Sequence, residues 1–283
     1  MKLKLVIVTV LALLWSSLSS AEVFYKAVQG DKTLWIMGTV HAAKGDGFAL
    51  SEHAQDALAQ SDVIWMEVAP EKLKNAQAAF MAHAMRSEGT LEENVDRETW
   101  QAFTQVAQQY GIPEQNLNPL NAWFAQIVLV ATAINQAGYV QEAGVESKIE
   151  QFAEANNLPI KGLETVERQI DALVQAQSDV GEQEIIEQTL TEIDKVNEVL
   201  DEIIASWQQG DLAVLGKYLN DSMPDQMAEE LLYKRNREWI AKLATDNQSD
   251  IAFIAVGAGH LVGDEGVLTL LEQKGYDVNP VNP

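Results

Sequence analysis

Two of the four histidines in this chain follow the same local pattern, an apolar run that ends in Gly-x-x-His. His41 follows the run that begins at Leu34 and ends at Gly38, and His260 follows the run from Ile251 to Gly257. Glycine leaves space where a backbone turns and where a ligand approaches, and imidazole can bind a metal or act as a base. The repeated pattern predicts that the two histidines converge on one site.

Two acidic residues are predicted to lie at the same kind of position. Glu67 ends the apolar segment from Asp62 to Val68, so in a parallel sheet it would share an edge with the histidines. A carboxylate there can ligate a metal or act as a general base, and the alternative is a buried ion pair. Glu164 follows a short predicted strand over 160–163, and its alternative role is a stabilising charge at a helix N-terminus.

Arg235 lies in the dense basic cluster Tyr233-Lys234-Arg235-Asn236-Arg237. An arginine can stabilise an oxyanion or hold a carboxylate. The alternative is a surface ion pair with Glu229 or Glu230, about one helical turn earlier. The other histidines, His53 and His83, fall inside predicted helices, so we interpret them as structural or exposed.

Several functional classes are excluded by missing motifs. The chain has no His-Glu-x-x-His, no Gly-x-Ser-x-Gly and no Walker loop. The glycines at 257, 259 and 263 resemble a dinucleotide-binding turn, but few residues follow them, and Asn279 stands where an acid for the ribose is expected. Because cysteine is absent, any metal must be held by histidine and carboxylate side chains.

The first 21 residues have the pattern of a signal peptide. A basic start is followed by an apolar stretch from Leu5 to Trp15, too short to span a bilayer, and then by small residues that end at Ala21. An uncleaved anchor is the alternative, and a lipoprotein anchor is excluded because no cysteine follows. We therefore expect a periplasmic or secreted protein with no stable membrane insertion after cleavage.

The charge of the chain restricts its partners. Without Lys2 and Lys4 of the signal segment, 17 basic residues remain beside 42 acidic ones, a net charge of −25. Such a surface repels nucleic acid and anionic membranes. It could favour cationic ligands, but the preferred interpretation is the ordinary solubility of an exported protein.

The apolar patterns predict an α/β fold with a mainly parallel central sheet, flanked by helices and carrying a helical insertion. A hairpin over 23–28 and 32–37 precedes a helix over 51–61 and the strand over 62–68, as in a sheet with crossover helices. We expect a single domain over 22–283 with a helical middle region over about 73–245. The predicted helices are 73–85, 97–110, 121–137, 145–157, one long helix over 182–208, 225–243 and 265–274, and the last strand is 276–281.

In order and spacing, these motifs resemble those of the TraB/PrgY/GumN family, whose animal relatives include the Wnt-inactivating protease Tiki. The resemblance covers essentially the whole chain after residue 21. It rests on Gly38-Thr39-Val40-His41, Glu67, Gly144-Val145-Glu146, Gly162-Leu163-Glu164-Thr165 with Gln169, Arg235-Asn236, Gly257-Ala258-Gly259-His260-Leu261-Val262-Gly263, Gly266-Val267 and Gly275-Tyr276. At Glu146 the family pattern has aspartate.

The resemblance implies a fold akin to erythromycin esterases and to the haem-binding lipoprotein ChaN. It also implies an active site built from the paired histidine motifs, a glutamate and an arginine. For the Tiki branch it implies a divalent-metal-dependent protease supported by Mn²⁺ or Co²⁺; Zn²⁺ is a further possibility.

The leading hypothesis is an exported metal-dependent hydrolase, with a peptide or protein as its substrate. His41, His260 and Glu67 would bind the metal, Glu67 or Glu164 would act as general base, and Arg235 would stabilise the oxyanion. One alternative is a non-catalytic protein that sequesters a peptide, haem or another small ligand. Another is metal-free hydrolysis of an ester with histidine as base.

Overall fold

A computed structural model describes residues 22–45, 47–219 and 223–281 of the chain. The predicted signal peptide, residues 1–21, lies outside the described residues. The strands are β1 (Phe24–Gln29), β2 (Lys32–Thr39), β3 (Ala43–Lys44), β4 (Val63–Met66), β5 (Tyr139–Val140), β6 (Ile160–Gly162), β7 (Ile251–Gly257) and β8 (Asp277–Pro280).

Helices account for most of the remaining described residues. They are α1 (Glu52–Gln60), α2 (Pro70–Leu73), α3 (Gln77–Ala84), α4 (Arg97–Gln109), α5 (Glu114–Leu117), α6 (Ala122–Gln136), α7 (Val145–Asn156), α8 (Val166–Gln175), α9 (Glu182–Glu192), α10 (Val196–Gln208), α11 (Leu212–Leu219), α12 (Asp225–Ala228), α13 (Lys234–Asp246) and α14 (Val267–Gln273). In this part of the chain, no helix is long and apolar enough to cross a membrane.

The central sheet has six strands in the order β6-β4-β7-β2-β1-β8. The first four are parallel, and β1 and β8 are antiparallel to their neighbours. Strands β4 and β7 are almost wholly buried and apolar, as expected where helices cover both faces of a parallel sheet. The prediction of a mainly parallel sheet flanked by helices is therefore confirmed.

The predicted hairpin is also present. Strands β1 and β2 pair from Phe24 with Met37 to Gln29 with Lys32, leaving Gly30 and Asp31 as a two-residue turn. Gly30 has a φ of 58°, a backbone conformation that favours glycine.

The middle region is mainly helical, and the short strand predicted over 160–163 is present as β6, which pairs with β4. A second short strand, β5, was not predicted and pairs with β3 in a small separate sheet. Its helices α4, α6 and α9 share a second hydrophobic core with members such as Phe103, Leu129 and Ile186.

The prediction of one long helix over 182–208 is wrong. A 3₁₀ turn at Ile193–Lys195 separates α9 from α10. The two parts are buried in different places, because Ile186 and Ile193 belong to the helical core while Trp207 packs in the core of the sheet. Because the helix is interrupted, α9 can pack in the helical core while α10 packs in the core of the sheet. The predicted helix over 73–85 begins only at Gln77, as α3, and Leu73 is instead the last residue of the short helix α2.

Candidate active site

The four parallel strands all lead to predicted site residues at one edge of the sheet. His41 follows β2, Glu67 follows β4, Glu164 follows β6 and His260 follows β7. The carboxyl ends of parallel strands are where open α/β sheets bind ligands. The structure therefore brings together the residues that the sequence pattern placed at strand ends.

His41 is held in place through its backbone and its ring. Val145 N donates to Val40 O, and a Cβ on Gly144 would lie 2.5 Å from His41 O, so the start of α7 fits only because residue 144 is glycine. This contact brings Oε1 of Glu146 to 2.7 Å from Nδ1 of His41. Thr39 Oγ1 donates to the same carboxylate oxygen.

Glu146 decides the protonation of His41. The hydrogen bond to Glu146 raises the pKa of His41 to about 9, and the negative charges of Glu146 and Glu67 act in the same direction. The pairing in turn lowers the pKa of Glu146 against the effect of its burial. The side chain of His41 is 70% exposed, so this ion pair lies where a ligand can reach it.

Glu67 is an anion held between backbone and guanidinium. Its Oε1 accepts from Gly257 N at 2.8 Å, and its Oε2 accepts from Arg235 Nη2 at 2.7 Å. Burial alone would raise the pKa of Glu67, but His260, Arg235 and His41 together lower it to about 2. The ion pair considered from the sequence is present, yet the carboxylate also lines a cleft with His41.

Arg235 uses all five of its N–H groups inside the protein. Nε donates to Glu164, Nη2 donates to Glu164 and Glu67, and Nη1 faces Leu231 O and His260 Nε2. The alternative of a surface pair with Glu229 or Glu230 does not apply to this side chain, which is only 7% exposed. No N–H of Arg235 is left to donate to an oxyanion in this arrangement.

A π-helical turn at Glu229–Tyr233 leads directly into α13, which carries Arg235. Such wide turns are frequent at functional sites. Within the turn, the backbone carbonyl of Leu231 accepts a hydrogen bond of 2.7 Å from Nη1 of Arg235. The turn thus fixes the guanidinium that holds Glu67.

His260 is buried, and its tautomer follows from its neighbours. The Nδ2 group of Asn236 donates to the carbonyls of His260 and Glu265, so its Oδ1 must face His260 Nδ1, 2.7 Å away. Nδ1 of His260 therefore carries the proton, and Nε2 accepts from Arg235 Nη1 at 3.1 Å. Burial lowers the pKa of His260 to about 3. The ring packs against Trp239, with 4.4 Å between the two ring centroids.

Glu164 lies behind Arg235, away from the His41 cleft. Its side chain is 3% exposed, and both carboxylate oxygens accept hydrogen bonds from Arg235. Trp239 Nε1 donates to it as well. Burial raises the pKa of Glu164, which Arg235 opposes. This environment is that of a partner for Arg235, rather than of a base or of a charge that caps α8.

Gly257 is the point at which the site residues meet. A Cβ on Gly257 would lie 3.2 Å from Glu67 Oε1, 3.6 Å from His260 Cδ2 and 3.8 Å from His41 Nε2. Because residue 257 has no side chain, the space between these groups stays open to the cleft.

The cleft in front of His41 has a volume of about 380 Å³. Its lining combines apolar, amide and acidic side chains: His41, Met66, Glu67, Val68, Leu73, Gln141, Glu146, Ser147, Glu150, Gln169 and Ala255. The predictions from sequence did not include Glu146, Glu150 or Gln169 as site residues. Glu146 and Gln169 belong to the family motifs, which was one available signal, and the four-residue spacing from Glu146 to Glu150 inside a predicted helix was another.

The donor set bears on the metal that the family resemblance implies. Among the described residues, no group of three or more His, Asp or Glu side chains is arranged to hold a metal ion. Two of the three predicted ligands keep a suitable atom beside Gly257, namely Oε1 of Glu67 and Nε2 of His41, which must release its proton for a metal to bind. Nitrogen and carboxylate donors, with a second carboxylate behind the histidine, fit a divalent cation that keeps water or substrate as further ligands. Nε2 of His260 is occupied by Arg235.

His53 and His83 are not part of this site. Both lie on exposed positions, in α1 and α3 respectively. His83 contacts the backbone carbonyl of Ala79 one turn earlier.

Comparison with known proteins gives a family model that covers almost all of the described chain. The model of the TraB/PrgY/gumN family matches residues 23–280. A protein described as the uncharacterized protein YbaP, from Escherichia coli (strain K12), is 24% identical over 267 residues, covering 91% of this chain and 96% of its own length.

Two metalloproteases match over shorter stretches. Metalloprotease TIKI2 from Danio rerio is 31% identical over 106 residues, which is 29% of this chain and 20% of that protein. The Metalloprotease TIKI homolog from Amphimedon queenslandica is 32% identical over 79 residues, which is 27% of this chain and 14% of its own length. No solved structure matches. Since the family model spans nearly the whole described fold and its site, the chain belongs to the TraB/PrgY/gumN family.

Proposed function

We propose that this protein is a divalent-metal-dependent hydrolase that cleaves peptides in the cleft at His41. The observation that carries the proposal is that His41 Nε2 and Glu67 Oε1 both lie within 4 Å of the position that a Cβ on Gly257 would take, while each residue pairs with a charged partner. The partial likeness to metalloproteases supports the same chemistry. A kinship of fold with erythromycin esterases and ChaN is part of the proposal.

In the proposal, some site residues face the substrate, and others hold those residues in position. His41 and Glu67 would hold the metal, which when bound lowers the pKa of water and polarises a carbonyl. Glu146 orients the ring of His41 so that Nε2 faces the cleft, and Arg235 keeps Glu67 ionised and in place. Glu164 and His260 hold Arg235 from two sides.

This assignment changes two roles expected from the sequence. Arg235 is a positioning residue in the proposal, because its N–H groups are occupied, and so is Glu164, because it is shielded by Arg235. The bound substrate would be peptide lying along the cleft between Leu73 and the face of α7 that carries Glu146. Ions of the kind named by the resemblance, Mn²⁺ and Co²⁺, are the first to test, followed by Zn²⁺.

The test uses the purified protein lacking residues 1–21. After dialysis with Mn²⁺, Co²⁺ or Zn²⁺, bound metal is measured, and cleavage of a peptide library is followed by mass spectrometry with and without chelator. We expect metal binding and cleavage to be lost together in His41→Ala and retained in His53→Ala, a matched exposed histidine. Chelator-resistant cleavage, or tight peptide binding without any product, would contradict the proposal.

We further propose that the protein acts in the periplasm or outside the cell. The support is the basic and apolar pattern of the first 21 residues. Expression of the full chain followed by N-terminal sequencing of the exported product should give Glu22 as the first residue. Retention of the intact chain in the membrane fraction would favour the uncleaved anchor.

A further inference from the structure

One wall of the cleft contains an acidic side chain that the proposed reaction does not use. Helix α7 contributes Glu146, Ser147 and Glu150 to the lining, while Met66, Val68 and Leu73 contribute apolar surface. Leu73 is 43% exposed, so part of the apolar surface is available to a ligand. The cleft therefore offers both apolar contact and negative charge.

The two glutamates of α7 have different partners. They are four residues apart, which places them on the same face of the helix, about 5–6 Å apart between Cβ atoms. Glu146 is engaged by His41 and Thr39. The side chain of Glu150 has no hydrogen-bond or ion-pair partner anywhere in the described parts of the chain.

Glu150 is partly buried, which makes the missing partner significant. Its burial and the charge of Glu146 raise the pKa of Glu150, and Lys74 opposes this only from a distance. A carboxylate that has lost part of its hydration without gaining a cation is stabilised when a cation binds beside it. The protein itself supplies no such cation at contact distance among its described residues.

We propose that Glu150 binds a positively charged group of the substrate and thereby sets the specificity of the cleft. The inference rests on the proposed peptidase function. One helical turn from Glu146 to Glu150 corresponds to one or two residues of extended peptide, at about 3.3–3.6 Å each. The preferred substrate carries an ammonium or guanidinium group within about two residues of the scissile bond, from a Lys or Arg side chain or from a free N-terminus.

The experiment compares peptide pools of equal length that differ at one fixed position. Lysine is compared with norleucine, which keeps most of the aliphatic stem without the charge, and each pool is prepared with a free and an acetylated N-terminus. We expect the wild-type protein to cleave the lysine pool with a kcat/KM about tenfold above that of the norleucine pool, as one charge-assisted contact allows. If the free amine is the recognised group, acetylation instead gives the tenfold loss.

Variants assign the preference to Glu150. Glu150→Gln should remove it, mainly through KM, and Glu150→Lys should reverse it towards pools with glutamate at the fixed position. Glu154→Gln is the matched control, because Glu154 lies one turn further along α7, is exposed and does not line the cleft. It should leave the preference unchanged.

Failure of this inference is distinguishable from failure of the proposed function. If the wild-type protein cleaves charged and neutral pools equally, or if Glu150→Gln keeps the preference, Glu150 does not recognise the substrate although the protein is a peptidase. If no pool is cleaved with any of the three metals, the proposed function and this inference both fall.

Discussion

The Oε1 atom of Glu146 lies 2.7 Å from Nδ1 of His41, so the more exposed of the two motif histidines is tied to a carboxylate from another element. His260, in the matching motif, has a neutral amide oxygen at the same ring position. The two histidines share a local sequence pattern but differ in charge. Their environments push their pKa values in opposite directions, to about 9 for His41 and about 3 for His260.

Replacement of Glu146 with glutamine should bring the pKa of His41 down towards 6.5, because the hydrogen bond to the carboxylate is the main cause of its rise. Titration of the ring protons by NMR in the metal-free protein measures this directly. Glu154→Gln is the control and should leave the titration of His41 unchanged. An unaltered pKa in Glu146→Gln would show that the ion pair does not form in solution.

The same ion pair should make stability depend on pH. A histidine with a raised folded-state pKa contributes stability below its unfolded pKa near 6.5, and this contribution is lost as the pH rises through about 9. We expect the difference in free energy of unfolding between wild type and Glu146→Gln to shrink between pH 6.5 and 9. Urea titrations across that range provide the measurement. A difference in free energy of unfolding that grows with pH would contradict the prediction.

Replacement of Arg235 with methionine should destabilise the fold strongly, because it leaves Glu67 and Glu164 buried without their cation. Breaking a buried pair in this way typically costs about 3–5 kcal/mol. Arg237→Met is the control, since that exposed side chain pairs with Glu229 and Glu265, where the loss should stay below about 1 kcal/mol. Urea unfolding compares the two variants.

If Arg235→Met does not fold, Arg235→Lys supplies the comparison. Lysine keeps the charge but has three donors on one nitrogen instead of five on three, so it cannot keep all the hydrogen bonds that Arg235 makes to Glu67, Glu164, Leu231 and His260. Equal stability of Arg235→Lys and wild type would show that the hydrogen bonds of Arg235 to Glu67 and Glu164 do not stabilise the fold.

Replacement of Gly257 with alanine should reduce metal binding and activity. The new methyl group would lie 3.2 Å from Glu67 Oε1 and 3.8 Å from His41 Nε2, in the space proposed for the ion. Gly181→Ala is the control, because a Cβ there meets nothing within 4 Å. Isothermal titration with Mn²⁺ tests both variants, and unchanged affinity in Gly257→Ala would place the ion elsewhere.

The tautomer of His260 can be tested without any activity. We expect its Nδ1 to be protonated and its Nε2 to be bare, and ¹⁵N chemical shifts distinguish the two nitrogens. Asn236→Ala should weaken this preference without reversing it, since the acceptor for Nδ1 is removed while Arg235 still donates to Nε2. A proton on Nε2 in the wild-type protein would overturn the proposed contact with Arg235.

The sequence predicted which residues lie at the carboxyl edge of the sheet, but not which of their side chains contact one another. Apolar runs that end in Gly-x-x-His or in Glu67 indicate strands with polar ends, and parallel pairing then places those ends together. The pattern does not reveal which charges pair. Arg235 reaches Glu67 across 168 positions of the chain, a relation that no local spacing encodes.

The pairing of Glu146 with His41 could not be predicted from the sequence either. It belongs to the family pattern Gly144-Val145-Glu146, but only the docking of α7 against Val40 and His41 turns it into a partner for a histidine. The break between α9 and α10 was hidden for a related reason. The apolar spacing continues through it, while the direction in which each part is buried depends on two separate cores.

The strand order has a consequence for when the site can form. Strand β7 lies between β2 and β4, so the segments that carry His41 and Glu67 are joined only through a strand made more than 180 residues later. A nascent chain that ends before Ile251 contains both residues but lacks the neighbour that holds them side by side. The edge that carries the candidate site therefore depends on long-range strand pairing, which is slow to form, and it is incomplete in a chain that lacks β7.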